Sequence, residues 1–319
     1  MNEQRADRRY SLPTRLLSAL IVLLLVTFGT FVLLRSSPGN TAISIAVRQA
    51  GPGASQEQID WIRDDLKLDE SLAAQYGVWL SRAVKGDLGV SEKTGRPVIT
   101  EIKNKLPRTL FLGLGAAILA TIFGFGAGIA SAVVKRGPLP GFLRILALVG
   151  ASVPTFWMSF LLILIFSERL RLLPTSGQSG PSSWIMPCLV LAIPAASTIS
   201  RVVAVSLTEA LGQQYVTAAR ARGVARWSPV FRDALPNAIG ATLNVTALQI
   251  GMLFTGSVIV ETVFAWPGIG AWFVESVKFR DNYAILAGVT LFAVAYILIT
   301  RSIDVIQTTA DPRLRRSRR

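Results

Sequence analysis

Histidine is absent from this chain of 319 residues, and cysteine occurs once. The first absence removes histidine-based proteolysis, the histidine-containing zinc motifs and the usual haem ligands. The second rules out an intrachain disulfide and leaves Cys188, set in an apolar stretch, as an inert buried thiol. Charge is also scarce. Asp, Glu, Lys and Arg make up 16% of the residues against 51% hydrophobic, less charge than a soluble domain carries. No G-x-x-x-x-G-K-[ST] occurs, so the chain has no P-loop for ATP, and H-E-x-x-H is impossible. A Ser–Lys hydrolase dyad is compatible with the composition, but no Ser and Lys sit where two helices obviously present them together.

Acidic residues are the minority, 19 against 33 basic, for a net charge of +14. The basic residues flank long apolar runs, as the positive-inside rule requires of a membrane protein. The charge therefore points to membrane lipid rather than to nucleic acid.

Six apolar runs give an all-α integral membrane protein with six transmembrane helices. Residues 1–15 form a basic cytoplasmic tail, and residues 16–34 are the first span. A cleaved signal peptide competes with an uncleaved anchor there; the run is long for the former, and no clear small-x-small site follows it. Residues 35–106 read as an external, mainly helical segment, with short helices over 56–67, 72–84 and 98–106 and a turn at 85–89. Residues 107–306 hold the five remaining spans, and 307–319 form a basic cytoplasmic tail. The second span, 110–134, carries Gly113-x-Gly115 and Gly124-x-Gly126, small residues that let helices approach in lipid. The third, 145–166, is expected to kink at Pro154, with Trp157 close by. The fourth, from 184 to about 205, contains Pro187 and Pro194. The fifth, 239–260, contains Asn244 and Gln249, whose amides face other helices or a polar path. Pro154, Trp157, Asn244 and Gln249 are thus candidates for a translocation path. Residues 261–283 are expected outside, with Phe264, Trp266 and Trp272 as an interfacial belt. The sixth span is 284–299, continuing beyond Arg301. Both termini fall on the cytoplasmic side.

An ion-coupled transporter usually places a charged residue in mid-span. These six apolar cores contain none, which favours transport powered by a partner over a secondary transporter or channel acting alone. The place for such a partner is the polar loop 208–236 between spans four and five. Thr217, Ala218 and Ala219 are small and suit a helix, Arg220 and Arg222 project charge, Gly223 ends the helix, and Leu235-Pro236 restart the chain toward the bilayer.

The spacing of that loop carries a resemblance. Permease subunits of ATP-binding-cassette importers have a cytoplasmic loop of the form E-A-A, three residues, G, nine residues, I, one residue, L-P. Ala218-Ala219, Gly223 and Leu235-Pro236 hold this spacing, with Thr217 at the Glu position and Asp233 at the Ile position. YVTAARARG…LPNA resembles the variant found in the dipeptide, oligopeptide and nickel permeases. So do Ser37-Pro38-Gly39, LKLDESLAAQY (66–76), KGDLGVSEKTGRPV (85–98), LPRTL (106–110), GASVPTFW (150–157), LLPTSG (172–177), VETVFAWPGIG (260–270), RDNY (280–283) and DPRLR (311–315). The chain most resembles the first, B-type peptide permease subunit. The resemblance implies a type I importer fold in the bacterial plasma (inner) membrane and a non-catalytic subunit without a cofactor of its own. It implies a homologous second permease, two ATPase domains that carry ATP and Mg, and an extracytoplasmic solute-binding protein. It also implies an ATPase-coupling role for Tyr215, Thr217, Ala218, Ala219, Arg220, Arg222, Gly223, Leu235 and Pro236. Di- or oligopeptides lead as the solute, with glutathione-like compounds and nickel as alternatives.

Overall fold

The structure is a computed structural model that describes residues 12–36, 55–65, 69–134, 137–222 and 227–310. Ser37-Pro38-Gly39, Gly223, residues 1–11 of the first tail and residues 311–319 of the last lie outside the described residues. Eleven α-helices are described: α1 Leu12–Arg35, α2 Gln56–Asp65, α3 Leu72–Val84, α4 Val98–Val133, α5 Leu139–Ser152, α6 Thr155–Leu162, α7 Ile185–Leu211, α8 Gln214–Ala221, α9 Leu235–Val263, α10 Ile269–Lys278 and α11 Asn282–Ala310. Short π-helical turns follow α6 and precede α9. Five helical segments are long and apolar enough to cross a membrane: Leu17–Arg35, Val98–Val133, Pro181–Leu211, Thr242–Val263 and Asn282–Ile303. The bent pair Leu139–Ser152 and Thr155–Arg169 passes the same test when taken together, as one broken span or a re-entrant loop.

That pair corrects the expected third span. The chain does not kink at Pro154 but breaks there, turning by 108°. Val153, forced out of the helical region by the following proline, is extended at ψ 126°, and Pro154 follows at ψ 138°. By contrast, Pro187 and Pro194 are absorbed within α7. The short helix expected over 98–106 is the first part of the long α4.

Contacts divide the chain into two compact units, residues 1–104 with 272–298, and residues 105–271 with 299–319. In the first, α1 and α3 are joined by a polar and aromatic seam. The Thr27 and Tyr76 hydroxyls hydrogen-bond at 2.7 Å, and Tyr76 packs edge-on to Phe28 and Phe31. Ser71 caps α3 by accepting from the Ala74 N–H. Buried Asp281 gathers the 91–93 turn, accepting from the Ser91 hydroxyl and from the N–H groups of Glu92 (3.1 Å) and Lys93 (3.3 Å). It also caps α11 through the Ala284 N–H at 3.2 Å. Gly89 has φ +86° and lies against Tyr283, whose ring would be 2.5 Å from any Cβ.

In the second unit α7 is the central helix, lined along its length by buried residues and packed against α5, α6 and α9. Gly124 and Gly128 of α4 press onto it: a Cβ at Gly124 would lie 2.8 Å from Ile199, and one at Gly128 2.6 Å from Val203. The close approach thus uses glycines four apart on one helix face. Of the two i, i+2 pairs only one glycine each shares it: Gly115 meets Cys188 Sγ of α7 at 3.0 Å, as Gly124 meets Ile199, whereas Gly113 and Gly126 face open space.

Candidate coupling site

The 208–236 loop is built on the end of α7. The Gly212 N–H closes the helix on the carbonyls of Thr208 and Glu209, and α8 starts two residues later. α8 has a buried face and an exposed one. Val216 and Ala219, three apart, are buried with Leu207, Ala210, Leu211, Val230, Ala234 and Ala238 in one apolar cluster, joined by Leu235. Tyr215, Thr217, Ala218 and Arg222 are exposed. The helix ends at Ala221, before Gly223; the Arg220 side chain lies outside the described residues. Pro236 follows the π-helical turn Pro229–Ala234, in which the Leu235 N–H bonds the Val230 carbonyl, so the chain is already helical when it reaches the proline. Asn237 ties the two ends together, donating from Nδ2 to the Asp233 carbonyl at 2.7 Å and to the Tyr215 hydroxyl at 3.4 Å.

The expected residues therefore divide by role. Ala219, expected to meet a partner, is only 3% exposed and seats the helix on its own chain. Its neighbour Ala218 is on the open side. Two exposed aromatics escaped the sequence reading: Trp227 and Phe231 stack at 6.2 Å on the same loop. Their i, i+4 spacing in a polar stretch was the available signal.

The candidate path residues are less tightly gathered. Pro154 and Trp157 are exposed, at the break and on α6, while Asn244 and Gln249 are half-buried on α9. α6 packs against α9, yet no hydrogen bond joins these four side chains among the described residues.

A buried carboxylate was also missed. Glu261, expected outside, is fully buried in the last turn of α9. It accepts from the Thr109 hydroxyl at 2.7 Å and the Ala271 N–H at 3.0 Å. Thr109 in turn accepts from the Ile269 N–H at 2.8 Å. The turn over 264–271 is held further by the Trp266 indole N–H donating to the Arg108 carbonyl at 3.3 Å, and by the Arg108 guanidinium donating to the Pro267 carbonyl at 3.5 Å. Gly270 leaves no room for a side chain, since a Cβ there would be 2.6 Å from Val258 Cα. Phe264 and Trp266, expected in an interfacial belt, belong instead to the buried core around α7, and Trp272 is also buried. A carboxylate that has lost its water needs such donors.

Comparison with known proteins places these features. The model of the binding-protein-dependent transport system inner membrane component matches residues 124–316, and that of the N-terminal part of such membrane components matches residues 9–113. The chain belongs to this family. The glutathione transport system permease protein GsiC of Escherichia coli strain K12 is 36% identical over 301 residues, 94% of this chain and 97% of the relative. The protein of that name from Shigella dysenteriae serotype 1 has the same identity and coverage. Among solved structures, the inward-facing MetNI methionine transporter is similar with a TM-score of 0.56 and 19% identity, over 66% of this chain and 96% of that one. An amino acid ABC transporter solved with histidines gives 0.52 and 16%, over 66% and 94%. These two likenesses concern the fold, that of importer permeases. The protein is thus a membrane-embedded permease subunit of an ATP-binding-cassette importer of the peptide and nickel group. A subunit of this kind works with ATPase and solute-binding partners.

Proposed function

We propose that the chain forms, with a homologous second permease, a translocation path for di- or oligopeptides, and that two partner ATPase domains drive it through α8. The observation that carries the coupling role is the two-sided build of α8. An eight-residue helix is marginal alone, but here Val216 and Ala219 anchor it while Tyr215, Thr217, Ala218 and Arg222 stay open. A seated helix with an open outer face transmits displacement to α7 and α9, the elements that flank it. The peptide assignment draws support from relatives that carry glutathione, itself a tripeptide. In this reading the chain hydrolyses nothing, ATP and Mg stay on the partners, both termini are cytoplasmic, and residues 35–106 lie outside. Pro154, Trp157, Asn244 and Gln249 are assigned to the path.

The test is peptide uptake into vesicles holding the assembled importer. Uptake requires ATP and the solute-binding protein. Arg222→Glu lowers uptake while the helix stays folded and ATP hydrolysis continues. Uptake by the purified chain alone, without ATP, would refute the proposal.

A further inference from the structure

Phe264, Trp266 and Trp272 are buried and do not meet lipid headgroups. The turn between α10 and α11 is placed to do so. Val277, Lys278, Phe279 and Arg280 are exposed in succession, Val277 at 49% and Phe279 at 55%. The span Asn282–Ile303 begins two residues after Arg280. A second helix of the same unit marks the same level: Phe31, four residues before the end of the span Leu17–Arg35, shares a buried cluster with Leu286, four residues after Asn282. Two spans therefore end together, and the 277–280 turn lies at that level, where aromatic and basic side chains meet phospholipid headgroups.

The turn is held in a strained form. The Asp281 N–H bonds the Ser276 carbonyl at 2.9 Å and the Arg280 N–H bonds the Val277 carbonyl at 3.1 Å, which closes α10 with Arg280 in the left-handed region at φ +53°. Glycine is the usual residue at that position, because a Cβ is disfavoured there. The arginine carries a conformational cost that glycine would remove, which points to a use for its side chain. Asp281 fixes the turn from the other side, through the 91–93 turn and the Ala284 N–H. Lys93 Nζ lies 4.3 Å from the Phe279 ring centroid and covers one face of the ring.

The charges around the turn do not balance. Asp281 is buried and taken up by its donors. Glu275 pairs with Lys93. Glu92 accepts from Asn282 Nδ2 at 3.4 Å and interacts with Arg35. The side chains of Lys278 and Arg280 make no hydrogen bond or ion pair among the described residues. Two open cations beside an exposed ring, with the neighbouring carboxylates already engaged, suit an anion whose other end is apolar.

We propose that the 277–280 turn binds the headgroup of an anionic phospholipid, its phosphate at Lys278 and Arg280 and its glycerol and upper acyl chain against Val277 and Phe279. A zwitterionic headgroup would bring a cation that no open carboxylate of the turn receives. The site stands apart from the importer reading, since lipid contact needs no ATP.

The test places p-benzoylphenylalanine at Phe279 of the assembled importer, in nanodiscs with phosphatidylglycerol as the minor lipid, phosphatidylcholine as the major one, and the solute-binding protein added. After irradiation, mass spectrometry identifies the adducts. Phosphatidylglycerol should be enriched among them by roughly fivefold or more over its share of the bilayer, the scale of one cation at a charged surface. Lys278→Gln and Arg280→Gly should each cut the enrichment several-fold. Arg280→Gly should nevertheless melt no lower than the wild type, because glycine suits the backbone, and Arg280→Lys should keep most of the enrichment. A role confined to shaping the turn predicts enrichment unchanged in Arg280→Gly. That result, adducts in bulk proportion, adducts chiefly with the solute-binding protein, or no lipid adduct would overturn the proposal.

Discussion

Ala219→Asp separates seating of α8 on its own chain from docking of a partner onto it. Ala219 lies in the cluster of Leu207, Val216, Val230 and Ala234, and the described neighbours in that cluster are all apolar. A carboxylate placed there gives up its water within an apolar cluster, a cost of several kcal/mol. α8 has only eight residues, too few to hold itself helical in water. The charge is therefore expected to free the helix from α7 and α9 rather than remain buried. If about 3 kcal/mol of local stability is lost, amide exchange over residues 214–221 rises by roughly a hundredfold, at a factor of ten per 1.4 kcal/mol. Ala218→Asp adds the same charge on the exposed face and should change stability by no more than about 0.5 kcal/mol. Hydrogen exchange read by mass spectrometry on the reconstituted full chain distinguishes them: fast exchange in the first variant, native exchange in the second. Native exchange in Ala219→Asp would refute the seating argument, whatever happens to uptake.

Two further outcomes are expected from thermal unfolding in detergent. Thr109→Val keeps the shape but removes a donor from buried Glu261 and the acceptor of the Ile269 N–H, so it should destabilise by roughly 2–4 kcal/mol while Thr109→Ser retains most of the stability; a Thr109→Val protein melting with the wild type would show that the clip contributes nothing. Gly128→Ala places a Cβ 2.6 Å from Val203 and 2.7 Å from the Ser200 carbonyl and should cost about 1–3 kcal/mol. Gly126→Ala, facing open space, should instead stabilise by up to about 1 kcal/mol through helix propensity; equal melting of the two variants would contradict the packing of α4 on α7.

Much of the loop around α8 was legible because its signals are local. Small residues mark a short helix between two spans, and α8 runs over Gln214–Ala221; the next helical run begins earlier than Leu235-Pro236, with the π-helical turn Pro229–Ala234. Which alanine faces out was not legible. Ala218 and Ala219 are adjacent and chemically identical, and only the cluster formed by α7, α8 and α9 distinguishes them. The Pro154 break was legible as a proline, but the size of the turn was not, because a kink and a break begin with the same loss of a helical hydrogen bond.

The sequence by itself determined the membrane character, the apolar runs, the importer-permease family and the position of the loop. These depend on composition and spacing along the chain, which the hydrophobic thickness of a bilayer and the geometry of a helix convert directly into structure. The tertiary structure alone decided which glycines meet α7, that Phe264 and Trp266 are core residues, and that Glu261 is buried. In a span that is apolar all round, the pattern hardly marks the buried face, and the carboxylate's hydroxyl partner, Thr109, lies 152 positions away in the chain. Only folding brings those two together, and with them the turn that ends α9.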